Sequence, residues 1–312
     1  MTNRPAETSL VFEFDHELVT GGAGFIGSHL ADRLVDDCAV TVYDDLSTGS
    51  RDNVPEDATL VNADIRDDDS LHDAVRAADV VFHEAAQVSV QRSVDDPATS
   101  HEINIDPVLT ILEAARETDT RVVVASSAAI YGHPESLPID ETHPKTPASP
   151  YGLEKLTADH YCRLYHEQYG VNAVALRYFN AYGPRQRGGD YSGVIGVFRD
   201  QARADADLTV EGDGTQTRDF VHVDDIVEAN LLAAATDEAA GEAFNIGTGN
   251  SITIRELAET IRDVTDSDAE IVHVDSRPGD IDHSEADVSK ARDVLDFEPT
   301  YDVETGLTAY LG

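Results

Sequence analysis

With 312 residues, 41% of them hydrophobic, the chain is long enough to bury a sizeable core as one large or two modest domains. No apolar run reaches membrane-span length, MTNRPAETSL lacks the apolar stretch of a signal peptide, and two cysteines (Cys38 and Cys162) make no disulfide framework. These features exclude a membrane partner and predict a cytoplasmic protein. The 61 acidic residues against 22 basic ones give a net charge of −39, a field that repels phosphate backbones and excludes a nucleic-acid partner.

In chain order, the first strand reads FDHELVTGG. A central parallel strand should be almost wholly apolar, yet Asp15, His16 and Glu17 fall within it, leaving Leu18 and Val19 as its expected buried residues. The loop TGGAGFIGSHL follows, with Gly21, Gly24 and Gly27 spaced by three, and then a helical pattern over Phe25–Val35. CAVTVYD, ATLVNAD and DVVFHEAA read as the next strands, with a helix over Ser70–Arg76. A helix over Asn104–Arg116, the strand RVVVASS, a helix opening at SPYGLEK and the strand VNAVALRYF complete the series. This alternation predicts an α/β protein with a Rossmann-type, doubly wound parallel sheet over residues 1–178. Past Pro184 the elements shorten and glycine increases, which predicts a smaller C-terminal domain over 179–312. A return of the chain to the first domain is expected near 220–246.

The glycine loop carries the first chemistry. A strand before it, a helix after it and an acid at the end of the next strand mark a dinucleotide site. Asp44 ends TVYD, placed to accept from the adenosine ribose hydroxyls, and its charge favours NAD over NADP. Pyrophosphate would then sit on the free N–H groups of the helix N-terminus.

Tyr151 and Lys155 are four residues apart and share one helical face. A tyrosine titrates near ~10, so it needs a cation nearby to act as a base at neutral pH. Tyr151 is the candidate acid/base, with Lys155 tuning it and gripping ribose hydroxyls; an ordinary exposed pair on an amphipathic helix is the plainer alternative. Lysine is rare here, occurring only at Lys145, Lys155 and Lys290, which favours a chemical role. Ser127, at the end of RVVVASS, could orient a substrate hydroxyl towards Tyr151, while Ser126 is the better candidate for a simple cap.

The glycine loop, YxxxK, LRYFNAYGPRQ, GDGTQTRDFVHVDD, FNIGTG and RPGD occur in this order. Together they resemble the extended short-chain dehydrogenases, most closely the UDP-glucose 4-epimerase branch, from Leu18 onward. The resemblance implies an NAD-binding domain followed by a nucleotide-sugar domain, and a homodimer paired through Asn104–Arg116 and Tyr151–Tyr169. It implies NAD contacts from Phe25, Ile26, Asp44, Asp64, Ile65, Ala85, Asn104 and Phe179. Asn180, Arg218, Arg277 and Asp280 would face the UDP-sugar, and Ser284 would line the sugar pocket, where serine leaves room for a 2-acetamido group. Sugar dehydratases of this kind carry Asp-Glu after the hydroxyl residue; here Ala128 and Ala129 stand there, which points to 4-epimerisation. A UDP-glucuronate 4-epimerase, another nucleotide-sugar epimerase or dehydratase, and a non-catalytic NAD-binding regulator are the competing expectations. Glu84, Pro107 and Glu211 depart from the family pattern, and the acidic, lysine-poor composition resembles that of halophilic archaeal proteins.

Overall fold

The computed structural model describes residues 14–187, 193–276 and 281–312. The first half runs β1 (His16–Thr20), α1 (Phe25–Leu34), β2 (Ala39–Tyr43), β3 (Thr59–Val61), α2 (Asp68–Arg76) and β4 (Val80–His83). It continues through α3 (Val90–Asp95), α4 (Pro97–Asn104), α5 (Asp106–Thr118), β5 (Arg121–Ser127), α6 (Pro150–Tyr169) and β6 (Ala173–Tyr178). Then come β7 (Asn180–Tyr182), α7 (Val194–Arg203), β8 (Leu208–Glu211), β9 (Thr217–Arg218), β10 (Phe220–His222) and α8 (Val223–Ala235). The last elements are β11 (Ala243–Ile246), β12 (Ile252–Thr253), α9 (Ile254–Val264), β13 (Ile271–Val274), α10 (Ser289–Leu295) and α11 (Val303–Leu311).

Seven parallel strands form the main sheet in the order β11-β6-β5-β4-β1-β2-β3. The order reverses between β1 and β4, which opens a crevice beyond their C-terminal ends. Successive side chains alternate between faces. Val19, Val80, Phe82 and Val123 pack on α1 and α8 residues, whereas Leu18, Val81, Val122 and Val124 pack on residues of α2, α5 and α6. The expected Rossmann-type sheet is therefore present, and β11 joins it beside β6 after the chain has left to build β7–β10.

The polar lead-in to β1 has a physical explanation. The backbone N–H groups of Asp15 and His16 donate to Asp79 Oδ2 at 2.9 and 3.0 Å. The His16 ring bridges the Ala77 carbonyl and, at 2.8 Å, the Thr41 hydroxyl. Burial nevertheless extends further than Leu18 and Val19: Glu17 and Thr20 are also wholly covered, because β1 lies between β2 and β4.

The helix expected over Asn104–Arg116 is two elements that meet at Ile105. Pro107 lies in the first turn of α5, where a missing N–H costs no helical bond. The C-terminal elements have their own core, in which Phe198, Leu208, Val210, Leu257, Ile261 and Leu307 cluster.

Candidate active site

A cavity of about 1070 Å³ opens along the C-terminal edge of the sheet. Its lining joins the β1–α1 loop to Asp44, Ser127, Tyr151 and Lys155, and reaches Asn180 and Arg218 on the C-terminal side. That volume is at the upper end of the range for a single ligand site.

The glycine loop is shaped for close approach. Gly21 has φ +68°, and a Cβ there would lie 2.7 Å from the Ala85 nitrogen. A Cβ on Gly27 would lie 2.4 Å from the Gly21 carbonyl oxygen, so no larger residue lets the helix meet the loop. Gly24 caps α1 with no side-chain hydrogen bond, which leaves the first-turn N–H groups directed at the cavity. Asp44 is buried; its Oδ2 accepts from Ala23 N at 3.0 Å and its Oδ1 from Leu46 N at 2.8 Å. Burial raises its titration point, while these two bonds oppose the rise. The bare cradle, the helix N-terminus and an acid at the end of β2 fit a dinucleotide with a free adenosine ribose.

Helix α6 positions Tyr151 and Lys155. Ser149 caps it by accepting from Gly152 N at 3.1 Å, and Pro150 pre-sets its first turn. Tyr151 and Lys155 then project from one face into the cavity. The Lys155 ammonium lies 6.0 Å from the centre of the Tyr151 ring and donates to the Ala125 carbonyl at 2.7 Å. Ser127 hydrogen-bonds Tyr151 and also caps the turn after β5, accepting from Ala129 N at 3.1 Å. The cap expected of Ser126 thus belongs to Ser127, and the Ser126 hydroxyl donates instead to the Lys155 carbonyl.

On balance the protein's own groups hold Tyr151 above its ordinary value. Burial raises it, the Ser127 bond lowers it, and the charges of Glu154 and Glu84 raise it again. A phenolate at this position therefore needs further positive charge, which an oxidised nicotinamide supplies when bound.

The sequence-predicted residues divide clearly. Gly21, Gly24, Phe25, Ile26, Gly27, Asp44, Asp64, Ile65, Ala85, Ser127, Tyr151, Lys155, Phe179, Asn180 and Arg218 all line the cavity. Asp64 is bound by Arg66, whose Nε and Nη2 donate at 2.9 and 2.6 Å. Asn180 Nδ2 donates to the Asp219 carbonyl at 2.9 Å, and Arg218 Nη1 to the Thr217 carbonyl at 2.7 Å.

Asn104, expected to contact NAD, is buried just behind the lining. Its amide exchanges hydrogen bonds with the Gln87 backbone at 2.8 and 3.1 Å and donates to Glu154 at 2.7 Å, so it shapes the wall from behind. Ser284 is also set back, 2% exposed, with its N–H donating to Thr217 O. Arg277 and Asp280 lie outside the described residues.

The matching family model, the NAD dependent epimerase/dehydratase family, covers residues 17–247. The chain belongs to this family. A putative UDP-glucose 4-epimerase of Methanocaldococcus jannaschii is 41% identical over 93% of this epimerase-family chain and 95% of its own length. The UDP-glucose 4-epimerase of Thermotoga maritima, solved with UDP-glucose, superposes with a TM-score of 0.91 at 37% identity, covering 95% of this chain and 97% of that one. A UDP-N-acetylglucosamine 4-epimerase of Methanobrevibacter ruminantium, in complex with UDP-N-acetylmuramic acid, gives 0.92 at 39% identity, covering 96% and 98%.

Sequence reasoning missed several lining residues of this family member. Arg185 and Arg187 reach the cavity from beyond β7; Arg185 bonds Ser28 at 3.0 Å and pairs with Asp32 at 2.6 Å, and Arg187 donates to Gly49 O at 3.1 Å. The rarity of cations was the available signal, because arginines in so acidic a chain mark places where anions bind. Arg92, also in the lining, shared that signal, whereas Gln87 carried none.

Proposed function

We propose that this protein interconverts the C4 epimers of a UDP-sugar, with NAD as the reversible hydride acceptor. The observation that carries this reading is the Ser127–Tyr151–Lys155 cluster at the inner end of a dinucleotide-shaped cavity. Tyr151 would take the proton of the sugar 4-OH as hydride leaves C4, and would give it back to O4 as hydride returns to the other face of C4 in the turned 4-keto sugar. Ser127 orients the hydroxyl, and Lys155 supplies charge beneath the phenol. Water elimination would need an acid pair beside Ser127, where the turn holds Ala128 and Ala129.

A broad substrate range is part of this reading, with Ser284 acting from behind the cavity wall rather than in it. Serine at position 284 is small, and the 39%-identical UDP-N-acetylglucosamine 4-epimerase has a matching fold. UDP-glucuronate is the second reading, favoured by Arg92 in the cavity wall, a cation suited to a C6 carboxylate. Incubation with UDP-glucose, UDP-N-acetylglucosamine and UDP-glucuronate in molar KCl, read by NMR of the products, tests all three. Conversion of UDP-glucose and UDP-N-acetylglucosamine to their C4 epimers is expected, and Ser284→Tyr should suppress the acetylated substrate selectively. Products lacking water or carbon dioxide, with no C4 epimer, would overturn the epimerase reading.

The charge of −39 and the three lysines support a haloarchaeal, cytoplasmic enzyme. Pairing through α6 is supported by Leu153 and Leu164, which share one helical face and stand 56% and 46% exposed.

A further inference from the structure

Lys155 is the most enclosed cation of the site, 7% exposed, with the Ala125 carbonyl as hydrogen-bond acceptor. A buried ammonium without a compensating charge gives up its proton. His83 of β4 pairs with Val124 of β5, which sets Glu84 beside Ala125, the residue whose carbonyl holds the ammonium, and both Glu84 and Lys155 line the cavity. Of the two carboxylates whose charge supports the ammonium, Glu84 comes first and Glu154 second. Glu154 Oε2 already accepts from Ser100 and Asn104, at 2.8 and 2.7 Å. Glu84 is the residue that departs from the apolar pattern expected beside the cofactor.

Glu84 is clamped by a directional chain. Asn230 on α8 donates from Nδ2 to the Ile226 carbonyl at 2.8 Å, which fixes the orientation of its amide. The same Nδ2 donates to the Tyr178 hydroxyl at 2.7 Å. With its oxygen accepting from Asn230, Tyr178 directs its single proton to Glu84 Oε1, also at 2.7 Å. An acceptor role for that oxygen favours the ionised carboxylate.

We propose that Glu84 is a positioning residue for Lys155: a clamped counter-carboxylate in the cavity wall that keeps the ammonium charged beneath Tyr151. Tyr178 from β6 and Tyr151 and Lys155 from α6 interact with Glu84, while Glu154 from α6 and His83 from β4 interact with Lys155. His83 is held neutral, pushed down to about 3 by burial and by Lys155. Burial pushes Lys155 down and Glu84 pushes it back up; burial pushes Glu84 up, and both the Tyr178 bond and Lys155 oppose that. The charge of each group therefore favours the charged form of the other.

The inference rests on the roles given above to Tyr151 and Lys155, and its test does not depend on turnover. Three lysines give three resonances in protein labelled with ¹³C at lysine Cε, and Lys145→Arg and Lys290→Arg assign them. In the NAD-saturated protein, Glu84→Gln should lower the Lys155 titration midpoint by about one pH unit or more. Tyr178→Phe, which keeps the carboxylate but removes its clamp, should lower it by less. The high-pH limb of kcat/KM should move down in parallel. An unchanged Lys155 midpoint in a folded Glu84→Gln variant overturns the proposal. Should that variant not fold, an unchanged midpoint in Tyr178→Phe does so. An active Tyr151→Phe would instead refute the catalytic assignment, so the two failures are distinguishable.

Discussion

Tyr151 is the residue on which the proposed chemistry turns. It shares a face of α6 with Lys155 and is bonded by Ser127, but burial holds its proton on more firmly than in water. In the proposed mechanism the bound cofactor's charge would complete the base, and burial keeps Tyr151 protonated until then. Tyr151→Phe keeps the ring and its packing and removes only the acid/base. Turnover should fall roughly 10²–10⁴-fold while NAD affinity, measured by calorimetry, stays at the wild-type value. Near-normal turnover would remove Tyr151 from the mechanism.

At the scale of the element, β1 carries an unusual burden. Glu17 is wholly buried at the centre of the sheet, and neither carboxylate oxygen has a hydrogen-bond partner. Burial pushes it up to about 7 from the ordinary value near 4.5. An acid whose titration point rises on folding binds its proton more tightly when folded. Its contribution to stability is present at low pH, declines as the pH rises from about 4.5 to about 7, and is constant above that range. The loss amounts to about 3 kcal/mol. In molar KCl, Glu17→Gln should melt near the wild-type temperature at pH 5 and clearly above it at pH 8. A gap that does not widen between these pH values would show that Glu17 is ionised throughout.

For the whole molecule, a charge of −39 makes self-repulsion the largest solvent-dependent effect. At molar salt the Debye length is about 3 Å, and at 0.01 M it is about 30 Å, so dilution lets distant carboxylates repel one another. The melting temperature should rise steeply between low and molar KCl, and a flat profile would refute the salt-adapted reading. The proposed pairing through α6 belongs to the same scale. Leu164→Asp should halve the mass measured by light scattering at molar salt, and an unchanged mass would place the interface elsewhere.

The sequence by itself determined the parallel sheet, the glycine cradle, Asp44 and the Tyr151–Lys155 pair, because each is written in local spacing. Helical period puts Tyr151 and Lys155 on one face, and only glycine fits where Gly27 meets Gly21. Tertiary structure decided what depends on distant partners. Asn104 turns to Gln87 and Glu154 rather than the cavity because those groups are brought to it from the β4–α3 connection and α6. Ser127 rather than Ser126 takes the cap because of how β5 ends against the following turn. Arg185 and Arg187 reach the β1–α1 and β2–β3 regions across more than a hundred residues of sequence. The partners of Glu84, from a strand and a helix nearly one hundred residues or more away, meet only because β4, β6 and α8 pack at one corner of the sheet. Hydrogen bonds and charge pairs act over a few ångströms in space, and no spacing along the chain encodes that proximity.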